Sequence, residues 1–250
     1  MQRFKNKTAL ITGGTSGMGF ATAQRFVEEG GSVIITGRSE NTVNSALENL
    51  GSQASGIVSD AGSVNDLMNL QAAVKKYTDR IDLLFANAGY GRFASVTDVD
   101  VKDFDELFNI LVKGSFFTVQ QILPLMNSGS SVIFNTSVAT DIAMANFSVY
   151  SAAKSAVQSF IKTFAVELTE RNIRVNGVSP GHIKTNIFNN TGLNREQIES
   201  AVQGIIPAIP FKRLGDPVEI ADVVLFLASE EASYIHGAEI KVDAGISVIR

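Results

Sequence analysis

The sequence contains no cysteine and only two histidines, His182 and His236. Without cysteine the chain can form no disulfide bond and can carry no thiolate nucleophile. Zinc sites in proteins are built largely from cysteine and histidine side chains, so this composition also argues against a metal centre. The absence of cysteine suits a reducing compartment, and we predict a cytoplasmic protein without a bound metal.

The chain also lacks a basic surplus and a long apolar run. Its 21 lysine and arginine residues are outnumbered by 25 acidic residues, and the formal net charge is −4. This charge offers no basic surface for nucleic acid or for an anionic membrane. Residues 1–7 are mostly polar, and no apolar run approaches the ~20 residues that cross a bilayer. We therefore expect neither a nucleic-acid partner nor a membrane.

Short apolar runs alternate with helical patterns along all 250 residues. Residues 21–29 and 67–77 are examples of segments with apolar spacings of three and four. Such alternation predicts an α/β fold, a doubly wound parallel sheet with helices on both faces. No linker or repeat divides the chain, so we predict one domain over residues 1–250. The seven predicted strands cover residues 8–12, 32–36, 55–58, 83–86, 132–135, 174–178 and 239–242.

The least regular stretch of the sequence lies between residues 185 and 213. It contains the turn-forming run Asn189-Asn190-Thr191-Gly192 and two prolines, Pro207 and Pro210. Long excursions in a compact domain are usually lids or binding loops. We therefore predict a substrate-binding loop or lid at about residues 185–213.

The glycine-rich segment TGGTSGMG, residues 12–19, follows the first predicted strand and opens the first helix. Glycines let the backbone approach a pyrophosphate, and a helix N-terminus supplies N–H donors for it. The next strand ends at Gly37, where NAD-binding proteins place an acidic residue, and Arg38 follows. An arginine at this place can pair with a 2′-phosphate, which predicts NADP(H) in preference to NAD(H). The alternative is that Arg38 is a solvated surface residue.

Tyr150 and Lys154 lie four residues apart at the start of a long helical pattern. Their side chains therefore share one helix face. A nearby positive charge lowers a tyrosine pKa below its usual value of ~10, which suits the phenol to give or take a proton. This spacing also arises by chance in helices, so a surface tyrosine beside a solvated lysine is the alternative.

Four ordered motifs make the chain resemble the short-chain dehydrogenase/reductase family over essentially its whole length. The family's serine lies about thirteen residues before its tyrosine, and Ser137 occupies that position. The resemblance implies a Rossmann-like fold and an NAD(P)-dependent oxidoreductase. The motifs are the glycine-rich turn at residues 12–19, Asn87-Ala88-Gly89, Tyr150 with Lys154, and Pro180-Gly181.

The resemblance implies that Ser137, Tyr150 and Lys154 are catalytic. Ser137 would hold the substrate oxygen, Tyr150 would be the acid or base, and Lys154 would bind the nicotinamide ribose and lower the tyrosine pKa. Asp60 would contact adenine, although it could instead cap a helix, and Asn87 would lie beside the adenosine ribose. The implied cofactor-binding residues are Gly13, Thr15, Ser16, Gly17, Met18, Gly19, Arg38, Asp60, Ala61, Asn87, Ala88, Gly89, Tyr150, Lys154, Pro180, Gly181, Ile183 and Thr185.

One departure from the family pattern is Leu111. The family usually carries an asparagine there, three residues before the glycine at position 114, and that asparagine helps hold a water next to the lysine. Asn109 lies roughly 200° away around a helix and should point elsewhere. Because Ser137, Tyr150 and Lys154 are all present, we expect an active enzyme.

The expected substrate is a small to medium apolar ketone or secondary alcohol. A 3-oxoacyl-[acyl-carrier-protein] reductase is an alternative, but its acidic carrier needs a basic landing patch. Residues 124–130 contain no basic residue, and Arg171 alone matches a basic family position. A catalytically impaired nucleotide-binding regulatory protein is a third possibility, favoured only by Leu111.

The positions expected around the substrate are mostly apolar. Asp141 and His182 could read a polar group, but both could equally be solvated loop residues. The predicted pocket residues are Ala139, Met144, Phe147, His182, Ile187 and Phe188.

The helix that begins at Tyr150 is apolar over more than one face. Beside its main stripe it carries Ala156, Ile161 and Ala165. A helix of this kind needs two packing partners, and the family is commonly tetrameric through such helices. We therefore predict a homotetramer, with burial beneath a loop of the same chain as the alternative.

Overall fold

The computed structural model describes residues 2–185 and 194–249, and in this part of the chain seven strands pair in parallel to form one sheet. Their order is β3-β2-β1-β4-β5-β6-β7, so the chain crosses from one half of the sheet to the other between β3 and β4. The predicted parallel α/β sheet is confirmed. The strands are β1 (Thr8–Ile11), β2 (Ser32–Gly37), β3 (Ala54–Val58), β4 (Ile81–Ala86), β5 (Met126–Asn135), β6 (Arg174–Pro180) and β7 (Glu239–Val242).

Helices separate the strands, and local signals mark where several of them begin. The carboxylate of Asp100 accepts a hydrogen bond from the N–H of Asp103 at 2.7 Å and caps α4. Pro217 opens α8, where its missing N–H costs nothing. The helices are α1 (Gly17–Glu28), α2 (Glu40–Leu50), α3 (Val64–Val74), α4 (Val101–Phe108), α5 (Gly114–Ile122), α6 (Ser148–Leu168), α7 (Arg195–Ile205) and α8 (Pro217–Ala228), with a π-helical turn at Asn109–Lys113 between α4 and α5.

Both faces of the central strands are buried, because alternate residues of these strands enter different cores. In β1, Leu10 belongs to one core, while Ala9 and Ile11 belong to the other. Residues of α3, α5 and α6 complete the first core, and residues of α1, α2 and α8 complete the second. Burial on both faces explains why the strands read as continuous apolar runs.

Two segments differ from the sequence prediction. β5 begins at Met126, six residues before the predicted start at residue 132. The prediction missed this first half because it is polar and its pairing with β4 is interrupted by a register shift between Ile81 and Leu83. Gly129, with a φ of 87°, lies in this irregular half. Residues 195–205 form α7 within the stretch predicted to be irregular. The first half of β5 pairs through its backbone without an apolar period, whereas α7 carries apolar residues at the helical spacing of four and three, Ile198, Val202 and Ile205.

α6 buries more of its surface within its own chain than its sequence suggested. Ile161 and Ala165 belong to the same core as Val157 and Phe164. A Cβ atom on Gly177 of β6 would fall inside van der Waals contact with Cδ1 of Ile161, so helix and strand approach closely. These two off-stripe residues therefore do not call for a second subunit.

The parallel strands bring the sequence motifs to one edge of the sheet. Ligands of open α/β sheets bind at this edge, near the point where the strand order reverses. Here that point lies between β1 and β4. The residues that follow the first six strands are Thr12, Arg38, Ser59, Asn87, Thr136 and Gly181.

We expect Gly177→Ala to destabilise the protein by about 1–3 kcal/mol, because the added methyl overpacks the contact with Ile161. Ile161→Val removes the obstructing Cδ1 atom, so Gly177→Ala should cost less in that background. Urea unfolding of the two single variants and the double variant measures the difference. Equal costs of Gly177→Ala in both backgrounds would contradict the expected contact.

Candidate active site

The turn after β1 brings the backbone into close contact with the loop after β4. Gly13 has a φ of 64°, and a Cβ atom there would lie 3.0 Å from Cα of Ala88. A Cβ atom on Gly19 would collide with the carbonyl oxygen of Gly13. α1 then begins at Gly17, and Ser16 before it makes no side-chain cap hydrogen bond. The first N–H groups of α1 are therefore available to an anionic ligand.

Thr12 and Asn87 fasten the end of β1 to the end of β4. Oγ1 of Thr12 accepts hydrogen bonds from the backbone N–H groups of Asn87 and Ala88, both at 3.0 Å. The Asn87 side-chain amide donates to the carbonyl oxygens of Thr12 at 2.9 Å and Gly13 at 3.3 Å. Its Oδ1 accepts from Nδ2 of Asn135 at 2.8 Å. The Asn87 side chain is therefore bonded within the protein at the groove wall.

Asp60 lies at the groove and does not cap a helix. Ser63 is the N-cap of α3 and accepts a hydrogen bond from the N–H of Asp66. Oδ1 of Asp60 accepts from the N–H of Gly62 at 2.8 Å, which holds its carboxylate in the loop after β3. The alternative that Asp60 caps α3 is therefore wrong.

An open groove lies along the carboxyl ends of these strands. Its helix N–H donors and the exposed guanidinium of Arg38 fit the phosphates of a dinucleotide, and the Asp60 carboxylate is an acceptor for hydroxyl or amino groups. A Cβ atom on Gly37 would collide with Cγ2 of Thr15, so the packing disfavours an acidic side chain there. The predicted cofactor residues that line the groove are Gly13, Thr15, Ser16, Gly17, Met18, Arg38, Asp60, Ala61, Asn87, Ala88, Gly89, Tyr150, Lys154 and Thr185.

Four predicted cofactor residues do not line this groove. Gly19 is buried beneath the glycine-rich turn, because its missing side chain lets α1 meet the backbone of Gly13. Pro180, Gly181 and Ile183 instead line an adjoining cavity. The groove residues that sequence reasoning missed are Thr36, Gly37, Ser59, Tyr90, Ile110 and Asn135.

Ser137, Tyr150 and Lys154 come together where the groove meets the adjoining cavity. Ser137 ends the irregular turn after β5, and Tyr150 and Lys154 lie on the first turns of α6. The Ser137 side chain hydrogen-bonds to Tyr150, and Nζ of Lys154 lies 5.7 Å from the centre of the tyrosine ring. All three residues are buried. The alternative of a surface tyrosine beside a solvated lysine is therefore wrong.

Burial governs the protonation of this pair. It raises the pKa of Tyr150 to about 12, and the hydrogen bond with Ser137 acts in the opposite direction. Burial also lowers the pKa of Lys154 to about 8. In the protein alone, desolvation of the phenolate is the main cause of the raised Tyr150 pKa, and the lowering by Lys154 that the family resemblance implies stays a prediction.

The adjoining cavity has a volume of about 350 Å³ and mainly apolar walls. Met144, Phe147 and His182 line it, as predicted. Ala139 does not line it but packs behind Tyr150 in an apolar cluster. The predicted Ile187 and Phe188 lie outside the described residues. The lining residues that sequence reasoning missed include Phe93, Val138, Val202, Ile205, Ala208 and Leu214.

The two polar candidates of the pocket differ in position. Burial lowers the pKa of His182, which favours a neutral imidazole at neutral pH. Asp141 forms an ion pair with Lys241 at 3.2 Å and does not line the cavity. His182 is therefore the candidate that can meet a polar group of a ligand.

Leu111 is buried in the π-helical turn between α4 and α5. It packs with Tyr150 and Phe147, and a Cβ atom on Gly89 would collide with its Cδ2. Asn109 points elsewhere, as predicted, and its Oδ1 accepts a hydrogen bond from Nζ of Lys113 at 2.6 Å. The family's asparagine position is thus filled by an apolar side chain that closes the site from the helix side.

Residues 2–185 and 194–249 contain neither a candidate metal-ion cluster nor a helix that could span a membrane. No group of three or more histidine or acidic side chains is placed to hold a metal ion. No helix in these ranges has the length and apolar character needed to cross a bilayer.

Comparison with known proteins gives consistent matches over the whole chain. A family described as enoyl-(acyl carrier protein) reductase matches residues 13–247. Oxidoreductase asL5 of Sarocladium schorii is 35% identical over 252 aligned positions, covering 100% of this chain and 99% of that protein. The 3-oxoacyl-[acyl-carrier-protein] reductase FabG of Thermotoga maritima is 34% identical, covering 98% and 100%.

A solved structure gives the same picture. The crystal structure of levodione reductase superimposes with a TM-score of 0.93 at 30% identity, covering 99% of this chain and 100% of that one. Full-length matches at this identity agree with the parallel sheet and with the motifs collected at its carboxyl edge. The chain is therefore an NAD(P)-dependent oxidoreductase and belongs to the short-chain dehydrogenase/reductase family.

Proposed function

We propose that this protein transfers a hydride between NADP(H) and a ketone or secondary alcohol of small to medium, mainly apolar build. The observation that carries the proposal is the junction of the nucleotide groove with the apolar cavity. Met18, Asn135, Tyr150 and Thr185 line both spaces, so a group bound in one can reach a group bound in the other. A nicotinamide supplies or accepts the hydride, and the protein supplies position and proton transfer.

Each residue of the junction has a separate task. Ser137 lines the cavity and holds the substrate oxygen by a hydrogen bond beside the Tyr150 hydroxyl. Tyr150 gives its proton to that oxygen in reduction and removes it in oxidation. Lys154 lines the groove but not the cavity, so it acts on the ribose and on the tyrosine rather than on the substrate.

Arg38 supports the choice of NADP(H). Its side chain is exposed at the groove, and it takes part in none of the ion pairs of residues 2–185 and 194–249. A free guanidinium can form charge-assisted hydrogen bonds to a 2′-phosphate. Position 37 is a glycine, so no carboxylate stands there to repel the 2′-phosphate, which agrees with this role of Arg38.

A 3-oxoacyl-[acyl-carrier-protein] reductase is the second candidate, favoured by the similarity to the Thermotoga maritima protein. The surface near Arg171 speaks against it. The Arg171 guanidinium donates hydrogen bonds to the carbonyl oxygens of Leu123 and Met126 at 2.8 and 2.9 Å. A guanidinium bound in this way is less available to an acidic carrier protein.

A reduction screen separates the candidates. Ketones, aldehydes, quinones and a carrier-bound 3-oxoacyl ester are tested with NADPH and with NADH. Faster turnover of simple apolar ketones supports the proposal, and faster turnover of the carrier-bound ester supports the second candidate. Cofactor binding without turnover of any compound would instead indicate the impaired regulatory protein.

The homotetramer, the cytoplasmic location and the substrate loop at residues 185–213 stay predictions. The surface of α6 supports assembly, because Val166 is 78% exposed on it. Phe104 of α4 is also exposed and stacks on Phe108 at 4.6 Å. Exposed apolar side chains on two helices are typical of subunit contacts.

We expect Tyr150→Phe to lower kcat by about 10²–10⁴-fold, because only the hydroxyl transfers the proton. The dissociation constant for NADPH should stay nearly unchanged, since the ring remains. Tyr77→Phe, at an exposed tyrosine away from the site, is the matched control. A Tyr150→Phe variant that keeps about half of the wild-type rate would remove Tyr150 from the proposed proton transfer.

We expect Arg38→Ala to lower kcat/KM for NADPH about tenfold or more, because it removes a charge-assisted hydrogen bond to the 2′-phosphate. The value for NADH should change little. Arg80→Ala, which removes an exposed arginine paired with Asp82, is the control. Equal losses for both cofactors would show that Arg38 does not read the phosphate.

The buried Lys154 should make stability rise with pH. Its pKa is about 8 in the folded protein and 10.5 as the reference for an unfolded chain. Between these values the unfolded chain binds more protons, so the free energy of unfolding increases with pH by up to about 3 kcal/mol. Lys154→Met should abolish this rise, whereas Lys162→Met, at an exposed lysine of α6, should keep it. Urea unfolding at about pH 7 and pH 10 measures it, and a rise retained in Lys154→Met would contradict the assignment.

A further inference from the structure

We propose that Asn135 is the positioning residue of Lys154: its backbone carbonyl holds the ammonium, and its unpaired side-chain carbonyl stabilises the charge of the ammonium without a direct hydrogen bond in this structure. The inference builds on the proposed role of Lys154. It concerns a residue at the end of β5 that no motif of the sequence marks.

The backbone half of this arrangement is a direct contact. Nζ of Lys154 donates a hydrogen bond to the carbonyl oxygen of Asn135 at 2.7 Å. Both residues are 5% exposed, so the bond lies in a region of low dielectric constant. Within residues 2–185 and 194–249, it is the one hydrogen bond formed by the ammonium. An ammonium has three N–H donors, and two of them remain to be satisfied.

The side chain of Asn135 carries an acceptor without a donor. Its Oδ1 is buried and has no hydrogen-bond partner among the described residues. Its Nδ2 donates to Oδ1 of Asn87 at 2.8 Å, while Asn87 donates to the carbonyl oxygens of Thr12 and Gly13. Exchanging O and N on Asn135 would set two oxygens against each other, so the network fixes the orientation of this amide. Oδ1 therefore faces away from Asn87.

The surroundings offer the ammonium few other partners. Its Nζ lies 5.7 Å from the ring centre of Tyr150, which packs in an otherwise apolar cluster with Leu111 and Phe147. Tyr150 is the titratable group that faces it, and the lowered pKa of Lys154 has burial as its cause, with no contribution from a carboxylate. Asn135 Oδ1 and Lys154 Nζ form no hydrogen bond with each other, but the dipole of an unpaired buried carbonyl on the residue that holds the ammonium can stabilise its charge.

A purely structural asparagine looks different, and β6 contains one. Asn176 is fully buried, and its Nδ2 donates to the carbonyl oxygen of Ile235 at 2.8 Å. Its Oδ1 accepts from the N–H of Ala238 at 3.0 Å. Both ends of that amide are satisfied, and Asn176 lines neither the groove nor the cavity. Asn135 is also buried, but its Oδ1 has no hydrogen-bond partner among the described residues, and its backbone carbonyl binds the Lys154 ammonium.

The test uses the pH dependence of stability and needs neither substrate nor cofactor. Asn135→Leu keeps the size of the side chain and removes its carbonyl, so the Lys154 ammonium loses support. The Lys154-dependent rise in stability should then begin at a pH lower by about one unit. Asn135→Asp places a carboxylate at the same position, and the rise should move to higher pH. Each shift should vanish when Lys154→Met is added.

Asn176→Leu is the control for the loss of a buried amide. It should lower stability at every pH and leave the position of the rise unchanged. Asn135→Ala is measured in the same way if Asn135→Leu does not fold. If the Asn135 variants lose stability equally at every pH, as Asn176→Leu should, Asn135 is a structural residue and the proposal fails. This test measures stability and not turnover, so its result for Asn135 can be interpreted even if the ketone screen finds no activity.

Discussion

Hydrogen bonds across the carboxyl ends of β1, β4 and β5 give the site its shape. The Thr12 hydroxyl accepts hydrogen bonds from two N–H groups of the loop after β4. The Asn87 side-chain amide donates to two carbonyl oxygens of the turn after β1. Asn135 extends the chain of amides to β5. These strands lie at the reversal of strand order, where no crossover helix covers the edge. Without the three side chains, the ends of β1, β4 and β5 would lose these side-chain hydrogen bonds to one another.

The same network links the nucleotide groove to Tyr150 and Lys154, the proposed catalytic pair. One end of it is the glycine-rich turn, which would receive the pyrophosphate, and the other end is the carbonyl that receives Lys154. A shift of either strand end would therefore move both. Burial of Tyr150 and Lys154 opposes charge on each, so the protein alone favours a neutral phenol and weakens the hold of the lysine on its proton.

Most of the fold could be predicted from the sequence, because strands buried on both faces are continuous apolar runs and the motifs recur at family spacing. The start of β5 could not, since Gly129 and its polar neighbours are paired through the backbone rather than through apolar side chains. Pro180 and Gly181 line the cavity rather than the groove, a distinction that spacing in sequence does not give, and their contact with the cofactor stays a prediction. Asn135 was missed because a polar residue at the end of a strand carries no signal of its own.

Gly37 and Thr15 make the choice of nucleotide a matter of packing as well as charge. Any side chain at position 37 meets the methyl group of Thr15, with Val43 close behind. A carboxylate that could bind a ribose hydroxyl therefore cannot be added there unless Thr15 moves or is replaced. Evolution from the proposed NADP(H) preference toward NAD(H) would have to pass through a poorly packed intermediate or change two positions together. Few single substitutions at position 37 are therefore compatible with a first step toward a change of cofactor.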